Sequence, residues 1–278
     1  MGFKVVEGTI RELWAPVDFS NSAKTVYQGA IVSASMNTGG SGLPAGDGIV
    51  TIAAAAGASD TTGKAVPMGV ILGFNYAADS QTYTNGLETG VSYGSQALQV
   101  AHAARGVEGV YPKGDGRLFA HLAVIGPNTI LEGPIYNGAY GTALPTYSNT
   151  AASTDGLTVT TSAVTFTPIT YNSTWFCRSG ANAGLQRVAY STSTTSHTFY
   201  VAFQNDIAIG DVFCPVAVKE FGTCAVQFDA NATYVEMSAV AYSTNYYIID
   251  VLELNMKESG KERVIFKFNA DQFCAARA

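Results

Sequence analysis

The chain has 278 residues, 47% of them hydrophobic, which is enough for one large β domain or two of ordinary size. Charged residues make up only 13%, about half of the ~25% that is usual in globular domains, and the net charge is −6. Lys and Arg are absent between Arg117 and Arg178, and no basic cluster of the kind that nucleic-acid binding requires stands out, so we expect no nucleic-acid partner.

The first twenty residues contain no apolar run of the kind found in signal peptides, because charges interrupt them at Lys4, Glu7, Arg11 and Glu12. No stretch of the chain reaches the ~18 consecutive apolar residues of a membrane helix. We therefore expect synthesis in a cytoplasm and no membrane partner. Residues 1–18, with a lone Trp14 between charges, are predicted to extend as an N-terminal arm that becomes ordered at an interface.

The N-terminal half is rich in Gly and predicts short strands separated by turns. Two stretches, 36–48 and 75–90, are rich in turn-forming residues and are expected to be exposed. A short helix over 96–105 is the alternative to the strand predicted over 98–103. The predicted strands are 28–33, 48–53, 66–74, 98–103, 117–125 and 130–136.

Small polar residues dominate the middle of the chain. From 146 to 200, 22 of 55 residues are Ser or Thr. This change of composition predicts a domain boundary near residue 145. It gives an N-terminal β domain over 1–145, with the extended arm, and a C-terminal β domain over 146–278.

Strands in the C-terminal half are predicted from the alternation of apolar residues, since every second side chain of a strand points to the same face. Phe199, Val201 and Phe203 share one parity and are expected to share a face. The same pattern is repeated by Val212, Cys214, Val216 and Val218, and again by Cys224, Val226 and Phe228.

A long β-hairpin is predicted at the C-terminal end. Its first strand is 246–255, its turn is the Gly-containing stretch 257–261, and its second strand carries Val264, Phe266 and Phe268 on one face. The predicted fold class is therefore all-β, with two small antiparallel domains of barrel or sandwich type, long Gly/Ser/Thr-rich loops and little helix. No long amphipathic helix is found, which argues against α/β enzyme folds.

The titratable groups that catalysis needs are few and scattered. His102, His121 and His197 are isolated in the sequence, and no Gly-x-Ser-x-Gly motif marks a serine nucleophile. Asp206 and Asp211 flank a short loop that can be read as a Ca²⁺ site, although a solvated turn is the simpler interpretation. We expect no catalytic residue, no metal and no cofactor.

The cysteines all lie in the second half, at Cys177, Cys214, Cys224 and Cys274, and form no Cys-x-x-Cys pair. A structural zinc site does not fit this spacing in a chain with three histidines. We expect reduced, mostly buried thiols that pack as small apolar side chains.

A surface with so little charge must be covered by Ser, Thr, Asn, Gly and Tyr. Removing these groups from water costs less free energy than removing the charged groups of Lys or Glu. The centres of protein interfaces are also depleted in charge and enriched in aromatic residues. The composition therefore favours a non-catalytic structural protein that packs against copies of itself or a partner. A stable extracellular β protein is the alternative.

Three segments of the N-terminal half carry a resemblance to a known family. They are VYQGAIVSAS (26–35), GDGIVTIAAAAGAS (46–59) and GKAVPMGVILGF (63–74), the last containing the motif Pro67-Met68-Gly69-Val70. Together they resemble the β-rich decoration, or cement, proteins of tailed-bacteriophage capsids, in which such strands build a small barrel. The resemblance covers less than a fifth of the chain, and its motifs are short.

The resemblance implies a virion protein that binds the outer face of a capsid, contacts the major capsid protein, stabilises the shell and acts as a homo-oligomer, with a trimer expected. A tail-tube, fibre or receptor-binding component is the first alternative, and a carbohydrate-binding β protein is the second. The candidate interface residues are Trp14, as the anchor, with Phe19, Met36 and Leu43.

Overall fold

The computed structural model of the chain describes residues 2–8, 11–16, 25–36, 48–52, 67–75, 91–94, 97–101, 119–162, 173–229, 232–237, 247–270 and 273. Within these ranges the chain forms twenty strands, and the all-β class predicted from the sequence is confirmed. The strands are β1 (Lys4–Glu7), β2 (Arg11–Pro16), β3 (Thr25–Tyr27), β4 (Ile31–Met36), β5 (Gly48–Ile52), β6 (Pro67–Asn75), β7 (Val91–Gly94), β8 (Ala97–Ala101), β9 (Phe119–Val124), β10 (Ile130–Tyr136), β11 (Tyr147–Ser148), β12 (Thr158–Thr160), β13 (Thr174–Cys177), β14 (Gln186–Thr192), β15 (Ser196–Phe199), β16 (Val212–Val216), β17 (Thr223–Phe228), β18 (Val235–Glu236), β19 (Tyr247–Asn255) and β20 (Arg263–Phe268).

The chain divides into two compact units. Unit 1 comprises Met1–Gly133, Phe228–Tyr234 and Phe268–Ala278, and unit 2 comprises Pro134–Gln227 and Val235–Lys267. The boundary predicted near residue 145 lies inside unit 2. That 1–145 and 146–278 are separate folding domains stays a prediction.

Unit 1 contains a five-stranded antiparallel sheet with the order β2-β9-β6-β4-β5. Its two edge strands, β2 and β5, approach each other, so the sheet curls into a half-barrel. Unit 1 also contains a three-stranded sheet with the order β3-β8-β7. Residues 97–101 form strand β8, so the helix considered for 96–105 is wrong over these residues.

Both faces of the central strands of this sheet are buried. Ile71 of β6 lies opposite Leu122 of β9 on one face, and Ile31 of β4 lies opposite Val70 of β6 on the other, with all four side chains almost fully buried. Burial of such side chains contributes on the order of 1.5–3 kcal/mol each, which is the main force that holds the Gly-rich strands together.

The N-terminal segment is not an extended arm over its described residues. The whole of β2 pairs with β9, from Arg11 opposite Val124 to Pro16 opposite Phe119, and β1 pairs with β10. Phe3 is 3% exposed. The expectation that 1–18 becomes ordered only at an interface is therefore wrong here, because backbone pairing and the burial of Phe3 already order it.

Unit 2 contains a six-stranded sheet with the order β11-β16-β13-β14-β15-β12 and antiparallel pairings throughout. Its core is built around Trp175 of β13, which is fully buried. Trp175 belongs to a buried cluster that also contains three phenylalanine rings and smaller apolar side chains. The members of this cluster are Val159, Trp175, Cys177, Ala189, Phe199, Phe203, Ile207 and Phe213.

The terminal hairpin is confirmed by β19 and β20, which are neighbours in their sheet. Val264, Phe266 and Phe268 are all 0% exposed, whereas the residues between them are half-buried. The alternation read from the sequence thus gives the inner face of this hairpin correctly. Among the described residues there is no helix long and apolar enough to cross a membrane.

Candidate functional site

Trp14 lies on the surface of unit 1 in a fixed orientation. It is 52% exposed, and its ring stacks on His121 of the neighbouring strand β9 with 4.5 Å between the ring centroids and 17° between the planes. Glu12 lies two residues earlier on the same face of β2 and accepts a hydrogen bond of 2.9 Å from His121 Nε2. We call these three residues the Trp14 cluster.

The Trp14 cluster has the properties of an interface anchor. The stack and the hydrogen bond hold the indole in one orientation before a partner arrives, so little side-chain entropy remains to be lost on binding. Tryptophan contributes more binding energy than most residues when a partner covers it. The structure thus places the predicted anchor where a partner can reach it.

Of the other predicted interface residues, the structure describes only Met36, and of that residue only the backbone. Met36 is the last residue of β4, and its Cα partner across the β4–β5 pair is Gly48. Two strands, β9 and β6, lie between β2 and β4 in the sheet order. Phe19 and Leu43 lie outside the described residues.

His121 is isolated in the sequence. Its partners Glu12 and Trp14 lie more than one hundred residues away along the chain and meet it only because β2 pairs with β9. The alternation in β2 places Glu12 and Trp14 on one face, but nothing in the sequence gives the strand opposite them.

Unit 2 has an open pocket of about 630 Å³. Strands β13 and β14, the residues after β15 and the turn before β17 contribute its walls. The residues that matter for its chemistry are Gln186, Arg187, Tyr200, Val201, Lys219 and Glu220.

The apolar part of the pocket contains Val201, which the sequence analysis placed on a buried face. Val201 was expected to share a face with Phe199 and Phe203, yet it is 62% exposed while both phenylalanines are buried. The reason is that β15 ends at Phe199. Tyr200 follows, 59% exposed, and its ring lies 5.4 Å from that of Tyr190. The chain therefore presents Tyr200 and Val201 to solvent at the pocket.

The polar part of the pocket is held rigidly. Glu220 accepts a hydrogen bond from Gln186 Nε2 on one carboxylate oxygen and one of 3.2 Å from the Leu254 amide on the other. Arg187 donates from Nε to Ala202 O at 2.9 Å and from Nη1 to Gln186 O at 2.7 Å. These bonds fix the three polar side chains without using all of their donors and acceptors.

His197 belongs to the core of unit 2. It is fully buried, with its ring centroid 4.1 Å from that of Trp175 and its Nε2 atom 3.3 Å from Thr161 Oγ1. Burial lowers the pKa of His197 to about 4, so the ring is neutral at pH 7. Burial also raises the pKa of the Cys177 and Cys214 thiols to about 11.

The aspartates considered as a Ca²⁺ site do not converge. Asp211 is buried and accepts a hydrogen bond of 2.9 Å from the Ala208 amide, whereas Asp206 is exposed. Over the described part of the chain, no group of three or more His, Cys, Asp or Glu side chains is placed to hold a metal ion. His102 and Cys274 lie outside that part.

Compared with known proteins, the chain matches no protein-family model, and neither a search of curated proteins nor one of solved structures finds a match. The function is therefore derived from the two surfaces described above, the Trp14 cluster of unit 1 and the open pocket of unit 2.

Proposed function

We propose that this chain is a non-catalytic virion structural protein that binds the outer face of a tailed-phage capsid and stabilises the shell. In this proposal it contacts the major capsid protein and associates with copies of itself, with a trimer as the expected oligomer. The observation that carries the proposal is the exposed Trp14, stacked on His121 and presented by the half-barrel of unit 1.

The half-barrel supports the proposal because the family resemblance falls on it. The three resembling segments contain β4, β5 and β6, and these strands are consecutive neighbours in the sheet. A small barrel built from such strands is what the resemblance to decoration proteins implies. The Trp14 cluster lies in the same sheet, on the β2–β9 pair.

The low charge supports permanent contact with protein. Only 13% of the residues are charged, so docking removes few charged side chains from water and the free-energy cost of desolvation is small. One anchor per chain gives modest affinity. Several anchors on an oligomer that meets a repeating capsid surface bind much more tightly, because the later contacts are intramolecular.

The test mixes the purified protein with capsids of its phage that have been stripped of accessory proteins. We expect saturable, regularly spaced binding that raises the temperature at which the shell opens. Trp14→Ala should weaken binding by about tenfold or more, as expected for an aromatic anchor. The control is Phe221→Ala, which removes an aromatic ring of unit 2 that is 79% exposed.

A point substitution is needed because deleting 1–18 also removes β1, β2 and the buried Phe3 and so disturbs unit 1 itself. If the wild-type protein ignores capsids and assembles alone into tubes or fibres, the decoration proposal fails and the tail-component alternative replaces it. If Trp14→Ala binds as well as the wild type, Trp14 is not the anchor.

A further inference from the structure

We propose that the open pocket of unit 2 binds a carbohydrate that carries a carboxylate, such as a uronic or sialic acid. The sugar ring stacks on Tyr200, and its carboxylate lies between Arg187 and Lys219. This binding activity is separate from capsid docking, because it uses a different unit and different residues.

The aromatic wall is suited to a sugar ring. Tyr200 is 59% exposed, and its contact with Tyr190 at 5.4 Å limits how far the ring can turn. One face of a pyranose ring carries C–H groups that pack against an aromatic face, and a phenol ring combines such a face with a polar rim. Val201, which is 62% exposed, extends the apolar wall beside it.

The polar wall is suited to hydroxyl groups. Gln186 uses one amide N–H on Glu220, and no other hydrogen bond of its side-chain amide is formed with a described residue. Its second N–H and its carbonyl oxygen can therefore donate to and accept from neighbouring hydroxyls of a sugar. Glu220 is fixed by Gln186 and the Leu254 amide, and each carboxylate oxygen has further acceptor capacity. Rigid, partly used amides and carboxylates are what a polyhydroxylated ligand needs.

The charges favour an acidic sugar over a neutral one. Among the described residues that line the pocket there are two cations, Arg187 and Lys219, and one carboxylate, Glu220, in a chain whose net charge is −6. With the described residues, the Lys219 ammonium forms no ion pair, and Arg187 uses its Nε and Nη1 groups on backbone oxygens while its guanidinium lies 5.4 Å from the ring centroid of Phe203. A ligand carboxylate pairs with the remaining donors through charge-assisted hydrogen bonds.

The size and the local charge argue against larger anions. A pocket of about 630 Å³ lies in the range of ~300–1,000 Å³ typical of small-ligand sites, and one or two sugar rings fit it. A polyphosphate needs more cations than two and is repelled by the fixed Glu220 beside them. A single carboxylate on a hydroxyl-rich ring matches both walls.

The experiment uses the full chain and measures binding by saturation-transfer NMR and calorimetry. The probes are glucuronic, galacturonic and N-acetylneuraminic acids, with glucose and galactose as neutral counterparts and a hexaglutamate peptide as an acidic non-sugar. We expect at least one acidic sugar to bind saturably, at least about tenfold more tightly than its neutral counterpart and than the peptide.

Substitutions then assign the site. Tyr200→Ala should abolish binding, and Lys219→Met should remove the preference for the acidic sugar while keeping the apolar stem, with Lys219→Arg restoring it. Ile209→Ala is the control, since Ile209 is 69% exposed and does not line the pocket. The unfolding midpoint of each variant is measured alongside.

The proposal is overturned if no acidic sugar binds, or if Tyr200→Ala binds as the wild type does at an unchanged unfolding midpoint. Equal or tighter binding of hexaglutamate overturns it in favour of an acidic peptide partner. Each of these results is obtained without capsids, so it leaves the proposed capsid docking to be judged on its own test.

Discussion

The ring of Phe3 packs against the backbone of Gly133. A Cβ atom at position 133 would overlap two carbons of that ring, so only glycine leaves room for it. Phe3 also makes an edge contact with Phe228, with ring centroids 5.0 Å apart, and is 3% exposed. The first aromatic residue of the chain therefore belongs to the core of unit 1.

Gly133→Ala is expected to destabilise unit 1 by about 1–3 kcal/mol, because the added methyl group displaces the Phe3 ring from a packed core. Urea unfolding of the two proteins measures the difference. Gly73→Ala is the matched control, since it adds the same methyl group to β6 where, apart from its chain neighbours, no described residue has an atom within 4 Å of the added carbon. The packing argument fails if the two variants are equally stable.

The inner face of the terminal hairpin gives a second prediction. Phe266 is 0% exposed, so Phe266→Ala should cost about 3–5 kcal/mol of unfolding free energy through lost burial and the cavity left behind. Lys267→Ala on the opposite, half-buried face is the control and should change stability far less. A loss below about 1 kcal/mol for Phe266→Ala would mean that this face does not pack in the isolated chain.

The hairpin could be predicted from sequence because its alternation is uninterrupted and its turn carries Gly260 with a φ of +76°. The stretch that begins at Phe199 looked equally regular. There the strand ends, and the amides of Tyr200 and Phe203 donate instead to Val188 O and Gly156 O. Alternation reports the parity of side chains but not the residue at which backbone pairing stops.

The candidate surfaces were less predictable than the strands. The surroundings of Trp14 depend on the pairing of β2 with β9. The Trp14–His121 stack joins residues that are far apart in sequence. The pocket of unit 2 takes its cations and its aromatic wall from separate strands and turns. Such convergence depends on tertiary pairing, which a single sequence does not specify.

Phe221 gives a third prediction because it combines an unfavourable backbone with an exposed side chain. Its φ is +55°, and its side chain is 79% exposed. A left-handed conformation costs a non-glycine residue about 1–2 kcal/mol, and glycine avoids this cost. Part of that gain in stability is offset because glycine has more conformational freedom in the unfolded chain. Phe221→Gly should therefore be more stable than Phe221→Ala by roughly 0.5–1 kcal/mol in thermal unfolding. The reverse order would contradict this account.

The buried thiols give a fourth prediction. Burial raises the pKa of Cys177 and Cys214 to about 11, so both are protonated at pH 8 as well as shielded from reagents. Mass spectrometry of labelled peptides should show both residues unmodified in the native protein and fully modified after unfolding. Rapid native-state labelling of Cys214 would contradict its burial.

The buried His197 gives the last prediction, which concerns acid stability. Its pKa is about 4 in the folded chain, because burial disfavours the charged ring, and near the ordinary 6.5 in the unfolded chain. As the pH falls below 6.5, the unfolded state binds a proton that the folded state does not, so the free energy of unfolding decreases. The contribution is complete above pH 6.5 and is lost progressively down to about pH 4.

The size of this loss follows from the two pKa values. Between pH 7 and pH 4.5 the wild-type protein should lose about 2–3 kcal/mol through His197, at about 1.4 kcal/mol per unit of pKa difference. His197→Gln is neutral at every pH and lacks this loss, although it starts from a lower stability because the ring contact with Trp175 is lost. Urea unfolding of both proteins at pH 7, 6, 5 and 4.5 isolates the effect, since all other titrating groups are shared. Parallel pH dependences for the two proteins would mean that His197 becomes charged without unfolding.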